Sequence, residues 1–94
     1  MINIKFSNMK KIDFSKVKVQ MTFEGEPVEV DMRRELGNLI HQRTADLGLD
    51  EVARKIYFSE GEVEIPDEYI KPICTIVRSG FLIPAQEAIC ELLN

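Results

Sequence analysis

His41, Cys74 and Cys90 are the residues of this chain whose side chains could act as base and nucleophile, and their surroundings decide what can be made of them. A thiol–imidazole pair works only if the imidazole is brought within hydrogen-bond reach of the sulfur, so that the thiol can be deprotonated as it attacks. His41 is the sole histidine and sits among Arg33, Arg34, Gln42 and Arg43, on a polar helical flank with no carboxylate at a spacing that forces a dyad. A solvated or helix-packed histidine is the expectation. Cys74 and Cys90 fall in apolar helical stretches, which reads as two small core residues and not as a disulfide or half of a zinc site.

The carboxylates are no more promising as an acid/base pair. Glu24 and Glu26 flank a glycine, and Glu60, Glu62 and Glu64 alternate with glycine or apolar residues, the look of solvated turns and strand faces. Acid/base work needs one carboxyl buried enough to shift its pKa, and these positions look the most exposed in the chain. The five glycines are scattered singly, so no phosphate-cradling loop is present. No catalytic, cofactor-binding or metal-binding set emerges, and a small hydrolase or transferase using His41 with a cysteine stays the weakest class.

One segment imitates a DNA-binding motif. Leu47-Gly48-Leu49-Asp50-Glu51-Val52-Ala53-Arg54-Lys55-Ile56 has the look of the first helix of a helix-turn-helix, which would occupy 47–79. The chain then continues Tyr57-Phe58-Ser59-Glu60-Gly61-Glu62, acidic and turn-like, where a DNA reader places a helix carrying Arg, Lys, Asn or Gln toward base edges. The net charge of -4 also makes the mean field repel phosphate. A small transcriptional regulator is therefore the alternative reading, and nucleic acid an unfavoured partner.

These residues must be held by a single domain, since 94 residues are too few for two cores and a composition 45% hydrophobic and 30% charged is too apolar for disorder. No run approaches the ~20 apolar residues of a membrane span, and Met1 to Phe6 lacks the apolar core of a secretory signal, so a cytoplasmic location without membrane attachment is expected. The clearest element is a hairpin. Val17, Val19, Met21 and Phe23 alternate with Lys18, Gln20 and Thr22, and Val28-Glu29-Val30-Asp31-Met32 follows after Glu24 to Pro27. A four-residue loop would set Phe23 opposite Val28, Met21 opposite Val30 and Val19 opposite Met32, all on one face. Before it, residues 1–15, with Ile2, Ile4, Phe6, Ile12 and Phe14, form an arm or an extra strand, and 16–94 make up the α+β domain.

Helices follow. The first runs from Met32 to Asp46 with Asp31 able to accept free N–H groups, and Gly48 supplies a left-handed stop. Gly37 inside it marks a close crossing with another element. Asp50 caps a second helix of roughly two turns, fraying by Ser59. Val63 and Ile65 form a brief extended piece, Pro66-Asp67-Glu68 opens a third helix that Pro72 bends or delays, Gly80 ends it, and Pro84 begins a fourth. The fold class is α+β, an N-terminal β-hairpin packed on about four helices.

From Val17 to Leu93 this order resembles the tail assembly chaperone type of small phage and prophage proteins. The likeness is carried by the turn Gly25-Glu26-Pro27-Val28-Glu29-Val30, the helix centre Leu36-Gly37-Asn38, the acidic piece Gly61-Glu62-Val63-Glu64-Ile65 and a closing helical pair. The resemblance implies a protein without enzymatic activity that keeps tail components, such as the tape-measure or tail tube protein, soluble during assembly. It asks for an apolar surface that grips a partner helix by its i, i+3, i+4 anchors. Tyr57 and Phe58 at a helix end, and Phe81, Leu82 and Ile83 in a short interhelical link, are the candidate contacts, with ordinary core packing as the other reading of both clusters. The hairpin's open edges leave room for homo-oligomerisation, with no feature that fixes a stoichiometry.

Overall fold

The computed structural model describes residues 9 to 94; Ile2, Ile4 and Phe6 of the expected arm lie outside the described residues. What can be described of residues 1–15 is built into the core. Strand β1 (Met9–Ile12) pairs antiparallel with β4 (Val63–Pro66), setting Ile12 opposite Val63 and Lys10 opposite Ile65. A turn at Asp13 follows, held by the Asp13 carboxylate accepting from the Ser15 N–H at 3.0 Å and from its hydroxyl at 2.5 Å. Those two hydrogen bonds favour the ionised form and hold the Asp13 carboxyl below its ordinary value. Phe14, inside this turn, is fully buried.

Strands β2 (Val17–Val19) and β3 (Val28–Val30) form the hairpin, with Val17 opposite Val30 and Val19 opposite Val28. The register expected from the sequence is displaced by four residues, and the loop runs from Gln20 to Pro27 instead of Glu24 to Pro27. Local hydrogen bonding competes with the ladder here: the Gln20 side-chain amide donates to the carbonyls of Thr22, at 2.8 Å, and Gly25, while the Thr22 hydroxyl accepts from the Gly25 N–H at 2.9 Å. The displacement is even, so Val17 and Val19 keep the inward face that alternation assigns them. Met21 and Phe23 do not, and stand in solvent.

Among the described residues four helices of 11 residues follow: α1 (Arg33–Arg43), α2 (Leu47–Tyr57), α3 (Ile70–Gly80) and α4 (Ile83–Leu93). The α+β class stands, with two small antiparallel sheets and the β2–β3 hairpin lying against α4. Helix α1 begins as the sequence indicates, the Asp31 carboxylate accepting from the Arg33 N–H at 3.1 Å, but it stops at Arg43 because Thr44 is extended. The Thr44 hydroxyl then accepts from the Asp46 N–H at 3.0 Å, and Asp46 caps α2 by accepting from Gly48 at 2.8 Å and Leu49 at 3.4 Å. The cap is therefore Asp46, not Asp50, and Gly48 is a first-turn helical residue, not a left-handed stop; the positive φ among the described residues is at Gly61, 133°. Pro72 delays the third helix, which starts at Ile70 after a 3-10 turn over Asp67–Tyr69, and Pro84 sits in the first turn of α4 where its missing N–H has no helical partner to lose.

The core joins all these pieces. Phe14 and Val17 from the strand region, Leu36, Ile40 and Ile56 from α1 and α2, Ile65 from β4, and Ile73, Val77, Ile89 and Leu93 from α3 and α4 form one cluster without a buried charged group among the described residues. Each such side chain contributes about 1.5–3 kcal/mol through burial.

Candidate functional site

Helices α1 and α2 run antiparallel and cross closely because α1 has no side chain at Gly37. A Cβ there would lie 2.9 Å from both the Ala53 carbonyl oxygen and the Tyr57 Cβ, so the close crossing expected at this glycine is present. Bringing two backbones this near leaves a cleft of about 240 Å³ along their outer side. Its floor is Gly37 and Ala53, one end is polar with His41, Asp50 and Arg54, and the other is aromatic with Tyr57 and Phe58.

The polar end contains a pairing that sequence spacing missed. His41 Nδ1 lies 2.5 Å from Asp50 Oδ1, and Arg54 Nη2 lies 3.6 Å from Asp50 Oδ2. The histidine thus does have a carboxylate partner, supplied by the facing helix, because moving the cap to Asp46 frees Asp50 to point across the crossing. The hydrogen bond from His41, reinforced by its charge when protonated and by Arg54, holds the Asp50 carboxyl below its ordinary value. An imidazole oriented at Nδ1 by a carboxylate has the geometry of a general base, but a base needs a nucleophile or substrate proton within reach. His41 is 64% exposed at its side chain and makes no hydrogen bond to a hydroxyl or thiol among the described residues.

Both thiols are elsewhere. Cys74 on α3 and Cys90 on α4 are buried in the core cluster as free cysteines. Burial, with the Cys90 thiol beside it, pushes the Cys74 thiol up to about 11, so it is protonated at neutral pH and a poor nucleophile. Among the described residues no cluster of three potential metal ligands forms.

At the aromatic end, Tyr57 and Phe58 meet edge to face with ring centroids 4.7 Å apart, and the Arg34 guanidinium lies 5.9 Å from the centre of the Tyr57 ring. Tyr57 is half-buried and lines the cleft; Phe58 is 71% exposed. The second candidate cluster is split: Phe81 is half-buried against the core, whereas Leu82, in the link, and Ile83, which is the first residue of α4 and not part of the link, are 83% and 66% exposed. Among the described residues Phe58 pairs with Tyr57 and not with Phe81. Phe23 and Met21 were not expected to be exposed at all; the sequence signal that could have placed them in a loop is the Gln20, Thr22, Gly25 set that hydrogen-bonds locally.

The chain matches no protein-family model, no curated protein and no solved structure. The segment 47–79 is helix, turn, strand and helix, with β4 standing where a helix-turn-helix places its tight turn and recognition helix. No helix among the described residues is long and apolar enough to cross a membrane.

Proposed function

We propose that this protein works by binding another polypeptide, as a factor of the tail assembly chaperone type that keeps a tape-measure or tail tube protein soluble in the cytoplasm, and that it carries no catalytic activity. One observation supports the reading: Phe58, Leu82 and Ile83 present large apolar side chains to solvent at two helix ends. Large apolar side chains exposed at helix ends, where the other apolar side chains of the same helices are buried, are the positions this reading assigns to partner contact. Helix ends bracketed by helices suit a partner helix that lays its i, i+3, i+4 anchors along them.

Co-expression with a tail tube or tape-measure protein that is insoluble alone is the test. The expected result is that the partner moves from pellet to supernatant and co-purifies, and that the triple variant Phe58→Ser/Leu82→Ser/Ile83→Ser, folded by circular dichroism, fails to do so. A partner that stays in the pellet with the unsubstituted protein refutes the proposal, as does full rescue by the triple variant.

A further inference from the structure

The most exposed aromatic among the described residues is outside both clusters. Phe23 is fully exposed at the apex of the β2–β3 hairpin, within an unbroken exposed run from Gln20 to Glu29. The loop that carries it is not slack, because the Gln20 amide bridges the Thr22 and Gly25 carbonyls and the Thr22 hydroxyl holds the Gly25 N–H. A pre-ordered loop loses little conformational freedom on binding. Glu24 and Glu26 follow Phe23 within the same exposed loop, so the tip is acidic with an apolar point.

The cleft between α1 and α2 has the complementary character. Its volume of about 240 Å³ is below the ~300 Å³ of ordinary ligand pockets and above the ~150 Å³ that accepts a benzene ring. It has Tyr57 and Phe58 as an aromatic wall against which a phenyl ring packs edge to face, His41 and Arg54 in its lining with Asp50 already engaged by both, and Arg34 just outside the lining, 5.9 Å from the centre of the Tyr57 ring. The chain's own Phe23 stands fully in solvent and so does not fill it.

We infer that the cleft between α1 and α2 receives the Phe23 hairpin tip of a second copy of this chain, with Glu24 and Glu26 meeting Arg34 and Arg54. Knob and hole are different surfaces, so the contact is head-to-tail and each copy keeps one free knob and one free hole until a ring closes or two copies exchange tips. This self-association shares Phe58 with the partner surface proposed above but uses neither Leu82 nor Ile83, and it goes beyond that partner binding.

Light scattering coupled to size exclusion tests it on the full chain. The unsubstituted protein is expected to gain mass with concentration, and less so at high salt, because the charge contacts are at the surface. Phe23→Ser, at a position that contributes nothing to the core, and Asn38→Trp, which fills the cleft from its exposed rim, are each expected to weaken association about 30-fold or more. Mixing the two supplies one intact cleft and one intact tip, and a 1:1 heterodimer that grows no further is the expected product. Reversing the charges in Glu24→Lys/Glu26→Lys is expected to abolish association, and adding Arg34→Glu/Arg54→Glu to restore it. A monomer at every concentration, association unchanged by Phe23→Ser or Asn38→Trp, or a mixture that stays monomeric overturns the inference.

Discussion

The helical body and the hairpin tip use the same residue types to opposite ends. In the body, phenylalanine, valine and isoleucine at inward positions are enclosed: Phe14, Val17, Ile40 and Ile56 have no exposure to speak of. In the tip, Met21 and Phe23 continue the same alternation and remain outside, because the ladder ends at Val19. Hydrophobic patterning therefore says which face a residue takes, while enclosure depends on what another element brings to that face. The difference teaches that apolar residues in the body stabilise the fold and those in the tip are free for recognition.

The sharpest way to break that distinction is one substitution made in both places. Phe14→Ala empties a fully enclosed site and is expected to cost about 3–5 kcal/mol, a large part of the ~5–15 kcal/mol that holds a domain together. Phe23→Ala is expected to stay within about 0.5 kcal/mol of the unsubstituted protein. Urea titrations followed by circular dichroism measure both; a comparable loss at the two positions would show that the tip is part of the cooperative unit after all.

Within the body, Gly37 is the position where backbone proximity, and not side-chain burial, sets the cost. Alanine is the better helix former by about 1 kcal/mol. Its methyl group, however, would come within 2.9 Å of the Ala53 carbonyl oxygen, a backbone atom that cannot turn aside, and such overpacking costs about 1–3 kcal/mol. Gly37→Ala is thus expected to lower stability by about 1 kcal/mol, read as a shift of the urea midpoint with an unchanged slope. A rise in the midpoint would mean that the helices separate freely and that the cleft beside Gly37 is not rigid.

Much of this was legible in the chain itself. Alternation in Val17 to Val30 announced a hairpin, Pro66, Pro72 and Pro84 placed the later helix starts to within a few residues, and Gly37 announced the crossing. The parts that were not legible share one cause: short polar side chains choosing among nearby partners. Gln20 and Thr22 take local carbonyl and N–H partners and end the ladder early. Three aspartates, Asp31, Asp46 and Asp50, each stand near a helix start, and composition cannot say which one caps. Of the candidate site, Tyr57 and Phe58 were found as a pair, but the His41–Asp50 contact joins two helices and has no signature in spacing.

That ambiguity can be resolved by substitution. Asp46→Ala removes the acceptor of two otherwise unpaired amides and is expected to cost about 1 kcal/mol. Asp50→Ala removes an acceptor whose partners are exposed side chains, and is expected to cost less, as compared by thermal unfolding at neutral pH. The reverse order would make Asp50 the true cap and remove the reason it is free to face His41.

The smallest effect lies at the seam between the two regions, where β3 hands over to α1. Asp31 accepts from Arg33 at its N–H, its Nε at 3.0 Å and its Nη2 at 2.7 Å, while Arg33 Nη1 donates to the Ser59 carbonyl beyond α2. These hydrogen bonds to Arg33 lower the Asp31 carboxyl from 3.8 to about 2. A carboxyl with a lowered folded-state pKa binds its proton more readily when unfolded, so its contribution to stability is full above its ordinary value and is lost as pH falls from 3.8 through about 2. Asp31→Asn is therefore expected to leave a shallower fall in the urea midpoint across that interval, with the neutral-pH midpoint little changed because the pair is exposed to solvent. If the acid dependence is the same with and without the Asp31 carboxyl, the seam is not held by this pair but by the Met32 N–H donating to the Phe14 carbonyl at 2.8 Å and by β2 against α4.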